Sequence, residues 1–202
     1  MEIFFNSAFL LDSNAKIQAQ YNKNHLVAFG EYVPFKQWFP FIQRLSGGGE
    51  DFTAGDTLGI FNLYQQVMGV VICVEDSFIY LMRQLALQNV VIVFNLTNDS
   101  WFQSSRAAYH HAASSILSAV SCGFSIVRAC NTGISGYIHG TGEMEVLRNE
   151  HNQSFMVPIT GTFHVSAFAQ KTLFAKYGDW FSILCIVLTL WIFLFKEHTG
   201  KS

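Results

Sequence analysis

The sequence predicts an α/β sandwich followed by an apolar C-terminal helix. Three observations carry that reading. Apolar or β-branched runs at 66–73, 90–96 and 124–129 alternate with segments of helical period, pairs of short strand-like runs flank that alternation, and residues 180–195 hold no charge.

Taken in order, residues 3–11 and 16–21 are strand-like runs around the turn cluster Asp12-Ser13-Asn14-Ala15, a hairpin signal. Residues 22–58 read as one long loop, punctuated by Pro34, Pro40, Gly47-Gly48-Gly49 and Gly55. Its aromatic content argues for a functional loop that touches lipid, since loops beyond about 12–15 residues are usually functional or disordered. The run 66–73 is a buried strand ending at Cys73, and Phe78, Leu81, Met82 and Leu85 give 76–88 a helical period. A second buried strand covers 90–96, a small-residue helix 105–122 and a third strand 124–129. A second hairpin joins 134–140 to 143–147 through Thr141-Gly142, and 154–159 reads as one more strand.

Half of the chain's 202 residues are hydrophobic, 20 of them Phe, and only 13% are charged, against roughly 25% in soluble domains. A net charge of −2 with no basic run gives no reason to expect nucleic acid. The uncharged segment 180–195 would reach only about 24 Å as a helix, short of the ~30 Å hydrocarbon core. Its place at the chain end, Trp180 and Trp191 within it, and Lys196, His198 and Lys201 behind it nevertheless favour a transmembrane helix with a cytoplasmic tail. Cys73, Cys122, Cys130 and Cys185 make no zinc spacing; a Cys122–Cys130 pair is open, but two buried thiols are the simpler reading.

Cys73 ends a strand and is followed at once by Val74-Glu75-Asp76 and a helical pattern, a position where a helix dipole would favour the thiolate. The competing reading is a buried structural Cys. Lys23 enters a polar turn at a strand end, where it could stabilise an oxyanion or a thiolate, or simply meet solvent. His25 reads as a hydrogen-bonded structural residue. Asn98, Asp99 and Ser100, then Trp101 and Phe102, leave a buried strand, and Asn131-Thr132-Gly133 leaves the next; both suit substrate binding or plain turns.

The order of these pieces is more telling than any one. YNKNHLVAFGEYVPF (21–35), ICVE (72–75), LTNDSWF (96–102), RACNTGIS (128–135) and GDW (178–180) together resemble the apolipoprotein N-acyltransferase family, within the carbon–nitrogen hydrolase (nitrilase) superfamily. The resemblance runs over nearly the whole chain. It implies an α-β-β-α sandwich with a Glu–Lys–Cys triad, in which Cys73 is the nucleophile and Lys23 the triad lysine. Glu31 and Glu75 would be accessory carboxylates, and Asn98, Trp101, Tyr32 and Phe35 substrate-binding candidates. Ala28 and Val74 depart from the family's Pro and Tyr, and Ser118 and Ser121 stand where charged residues are expected.

The implied reaction moves a fatty acyl group from a phospholipid, through a Cys thioester, to the N-terminal amine of a diacylglyceryl-cysteine on an apolipoprotein. No metal or organic cofactor is implied. The expected site is the bacterial inner membrane, with the catalytic domain (1–178) on the periplasmic face, a transmembrane helix at 179–196 and a cytoplasmic tail at 197–202. The family's triad Glu lies upstream of its Lys, and no residue before Lys23 matches it. The expectation is therefore an N-terminally truncated catalytic domain, a fragment or split gene, with impaired activity. A membrane-tethered nitrilase-like amidase and an inactive relic are the alternative readings.

Overall fold

Three strands buried on both faces set the architecture. In the computed structural model, which describes residues 3–39, 41, 51–166 and 170–199, these are β4 (Gln66–Ile72), β5 (Ile92–Asn98) and β6 (Ser125–Asn131). They pair in parallel, with Val71 opposite Asn95 and Asn95 opposite Arg128. Parallel neighbours need crossover connections. The helices α1 (Ile79–Leu87) and α2 (Ala107–Cys122) supply them.

Among the described residues, β3 (Ile60–Leu63), β7 (Gly136–Ile138) and β8 (Met144–Val146) extend these strands antiparallel into a six-stranded sheet of order β3-β4-β5-β6-β7-β8. A separate hairpin pairs β1 (Ser7–Leu11) with β2 (Ile17–Asn22). Alternation along the strands sorts the layers, because successive strand side chains point to opposite faces. Val71, Val93 and Ile126 pack against Leu81, Met82, Leu85 and Ala119 of α1 and α2, and against Ala175 of α3 (Leu173–Tyr177). Val70, Ile72 and Phe94 pack against Ala8 and Tyr21 of the hairpin. Helices, sheet and hairpin are thus three of the four expected layers. The hairpin's far face leaves Phe9, Leu11 and Ile17 exposed.

Several expectations need correction. No strand forms at 154–159: Met156 has φ +54° and Asn152 φ +60°, left-handed values incompatible with an extended run. Instead Phe155 stacks on Tyr109, their ring centroids 5.7 Å apart. Strand β3 and helix α3 form in stretches to which the sequence assigned no element. Pro40 and Gly47-Gly48-Gly49 lie outside the described residues.

At the C-terminus, α4 (Trp180–Thr199) does form, and its side chains from 180 to 195 are exposed on every side. The expected transmembrane helix is not supported, because among the described residues no helix is long and apolar enough to cross a membrane. The tail at 200–202 lies outside the described residues, as do the side chains of 196–199.

Candidate active site

Ligand sites of open α/β sheets sit beyond the carboxyl ends of the parallel strands. That is where a cavity of about 1060 Å³ opens here, beyond β4, β5 and β6. Lys23, Glu31, Cys73, Asn98, Arg128 and Cys130 are among its polar lining. Val27, Phe52, Leu96, Trp101, Phe102 and Phe163 make the rest largely apolar.

Cys73 is the first residue after β4, with φ +56°. A non-glycine residue in this left-handed region is strained and turns the chain sharply, bringing the half-buried thiol to the cavity. The dipole argument fails, however. A single 3-10 turn, Cys73–Ser77, follows the strand, and α1 begins only at Ile79. The pattern starting at Phe78 belongs to α1 alone.

Lys23 is 1% exposed, which excludes the solvated reading. Its Nζ lies 2.6 Å from Glu31 Oε2. Glu31 also accepts from the Val27 N–H at 2.8 Å and from Asn6 Nδ2 at 2.9 Å. Partial burial alone would raise the Glu31 carboxyl, but Lys23, Val27 and Asn6 outweigh it and hold it below the usual carboxylate range. A charged pair therefore sits in the same cavity as the thiol.

Glu75 does something different. It is fully buried, absent from the cavity wall, and accepts from the Tyr21 hydroxyl at 2.9 Å, the N–H groups of Asn24 and His25 at 2.8 and 2.9 Å, and the Ile72 N–H at 2.7 Å. It fastens the Lys23 loop to the end of β4. Asn98 and Trp101 line the cavity as expected, Trp101 at its exposed rim. Tyr32 and Phe35 do not; Phe35 is 68% exposed in the aromatic loop. His25 packs its ring on Phe78 and Tyr80, and its Nδ1 has no hydrogen-bond partner among the described residues. All four cysteines are free thiols. Burial pushes Cys130 up to about 11 and Cys122 up to about 12.

Behind Cys73 lies a cluster that sequence reading missed. Asp76 Oδ1 is 3.0 Å from His111 Nε2, and its Oδ2 accepts from Arg128 at 2.6 Å and also from Asn95 and Ser115. Asp99 Oδ1 is 2.9 Å from His111 Nδ1 and 3.0 Å from the Thr97 hydroxyl. The Arg128 guanidinium also lies 3.8 Å from Asp99 Oδ2. One signal was legible: Arg128 sits inside a strand paired on both sides, and a charge there must find a buried partner. His111, in an Ala/Ser-rich helix, gave none. Among the described residues no cluster of three or more His, Cys, Asp or Glu side chains is placed to hold a metal ion.

These groups make folding stability depend on pH. Burial disfavours the His111 cation, but Asp76 and Asp99 outweigh it and raise the group to about 9. Its contribution is complete below its ordinary value of 6.5 and is lost as pH rises through about 9. Burial likewise opposes the Asp76 anion, yet His111, Arg128 and Ser115 hold it below its ordinary 3.8. That contribution is present above 3.8 and fades as pH falls through the lowered value. Urea denaturation across pH should show a plateau between about 4 and 6.5, with stability falling on both sides. A curve still rising at pH 10 would contradict the His111 assignment.

The carbon–nitrogen hydrolase family model matches residues 2–175. An apolipoprotein N-acyltransferase of Geobacter metallireducens is 31% identical over 183 residues, covering 91% of this chain and 34% of that protein. One from Rickettsia prowazekii is 29% identical, covering 93% and 37%. The chain spans about a third of the length of these relatives. Among solved structures, a carbon–nitrogen hydrolase from Helicobacter pylori superposes with TM-score 0.54 at 14% identity, covering 70% of this chain and 51% of that one, a likeness of fold. The family match extends from the hairpin through all six strands of the sheet to α3, and on that ground the chain belongs to the carbon–nitrogen hydrolase family.

Proposed function

We propose that Cys73 is the nucleophile of an acyl transfer from phospholipid to the N-terminal amine of a diacylglyceryl-cysteine on an apolipoprotein. The observation that carries the reading is the strained Cys73 turn opening into the same apolar-walled cavity as the buried Lys23–Glu31 pair. The names of the similar N-acyltransferases support the choice of substrates.

In the first step the Cys73 sulfur attacks the ester carbonyl. The S–C bond forms, the C–O bond breaks, and the thiol proton ends on the departing lysophospholipid alkoxide. The Lys23 ammonium faces the developing oxyanion, with Glu31 fixing its position. In the second step the acceptor amine attacks the thioester. The C–N bond forms, the C–S bond breaks, and the proton released by nitrogen restores the thiol. Asn98 and Trp101 contact the substrate, while Tyr32 and Phe35 meet lipid in the exposed aromatic loop, with Trp38 beside them. Glu75 acts through architecture.

The catalytic unit is residues 1–178. Its proposed setting is the periplasmic face of a bacterial inner membrane, with α4 lying against the bilayer. Along 180–195 the side chains of α4 are mostly apolar and exposed on every side, which suits hydrocarbon.

One experiment tests both parts. The chain, incubated with phospholipid vesicles, should float with them at high salt, and mass spectrometry should find a thioester-linked acyl group on Cys73, absent in Cys73→Ala. Folded chain that stays in the soluble fraction removes the bilayer contact. Folded, vesicle-bound chain that hydrolyses a small amide and never carries the thioester replaces the transferase with a tethered amidase.

A further inference from the structure

We infer that His111 is a positioning residue for Cys73: it ties the nucleophile's turn to α2 and supplies the second positive charge that keeps the cluster behind the thiol neutral. The inference rests on the proposed role of Cys73 as nucleophile.

The geometry at the ring leads to it. His111 is 6% exposed, and both ring nitrogens point at acceptors. Nδ1 faces Asp99 Oδ1 at 2.9 Å, and Nε2 faces Asp76 Oδ1 at 3.0 Å and the Cys73 carbonyl oxygen at 3.3 Å. A neutral imidazole has one N–H and would turn a lone pair toward a carboxylate; only the imidazolium donates at both nitrogens. Protonated His111 and Arg128 then balance Asp76 and Asp99. Neutral His111 would leave one uncompensated negative charge behind a group that must itself become an anion to react.

Among the described residues, Arg128 is the other cation in contact with these carboxylates. The 3-10 turn after β4 presents Asp76, the turn Asp99–Phe102 presents Asp99 with the Phe102 ring edge-on, and β6 presents Arg128. α2 itself adds the Ser115 hydroxyl, which donates to the Asp76 carboxylate, and the Ser118 hydroxyl, which donates to the Asp76 carbonyl oxygen. On the cavity side the charged groups are Lys23, Glu31 and Arg128, whose side chain also reaches the cluster, and the second thiol is Cys130. Glu75, in the Cys73 turn, is already engaged by its four donors. Of the cluster's two cations, His111 is the one that also reaches the Cys73 carbonyl oxygen, and a neutral substitution there removes its charge while both carboxylates stay.

The test uses the full chain and iodoacetamide, with mass spectrometry following alkylation of the Cys73 peptide from pH 5 to 10. In His111→Gln, the pH midpoint of Cys73 alkylation should move up by about half to one unit, so that below the midpoint the reaction is about three- to tenfold slower. Asp99→Asn removes an anion and should move the midpoint down. The double variant His111→Gln/Asp99→Asn restores the charge balance and should return it toward the parent value.

A purely structural His111 would slow alkylation in every variant, or none, without opposed shifts of the midpoint. That result in variants with native circular dichroism overturns the inference. If His111→Gln does not fold, Asp99→Asn decides by direction, since structural damage gives no reason for the opposite shift. Alkylation needs no acyl donor, so failure of phospholipid transfer and failure of this inference give separate readings.

Discussion

Arg128→Leu should destabilise the fold by about 3–5 kcal/mol, the usual cost of breaking a buried ion pair by removing one partner. Arg128 is 2% exposed and reaches both Asp76 and Asp99. Leucine fills much of the same volume, yet leaves two carboxylates with one remaining cation, His111. Asp76 is fully buried and cannot recruit water without opening the sheet's carboxyl end. With total stabilities of about 5–15 kcal/mol for ordinary domains, such a loss removes roughly a fifth or more of the margin. Urea denaturation of parent and variant measures it directly. A loss under about 1 kcal/mol would mean the cluster is solvated, and its neutrality would no longer matter.

Lys23→Met should reduce the rate of thioester formation on Cys73 by about a hundredfold or more, the scale seen when one oxyanion-stabilising donor is removed. Methionine keeps the length of the buried stem and removes the charge. Glu31 retains the Val27 N–H and Asn6 Nδ2, so the loop has a reason to hold its shape. The readout is single-turnover acylation from phospholipid, with native circular dichroism as the control on folding. A rate within threefold of the parent would remove Lys23 from the chemistry and leave it as a tether for Glu31.

The parallel strands were legible because burial on both faces makes a strand a continuous apolar run, as VVIVF before Asn95 and VMGVVI before Cys73 show. The cavity was legible at its polar rim, since Lys23, Glu31, Cys73, Asn98 and Trp101 each close a recognisable stretch. Glu75 was legible as a position and not as a role; its four donors come from segments some fifty residues apart in sequence. Three local features misled. Helical period at 78–85 was extended backward over a 3-10 turn, short β3 was too brief to show alternation, and apolar content at 154–159 imitated a strand that Met156 breaks. The charged cluster was invisible for a different reason. Asp and Ser after a strand read as turn or cap, and only the folded register brings Asp76, Asp99, His111 and Arg128 together.

That cluster also bears on how such a sequence can drift. Its four charges come from four separate elements, spread over the chain from Asp76 to Arg128. A substitution at one site changes which residues the other three can tolerate, because contacting residues in one charge network do not contribute additively. Single steps away from the present set leave an unpaired buried charge, while paired steps that remove one charge of each sign cross at lower cost. In descendants of this chain these positions should therefore change in matched pairs or stay as they are, while α4, exposed on every side from 180 to 195, accepts apolar exchange there one residue at a time.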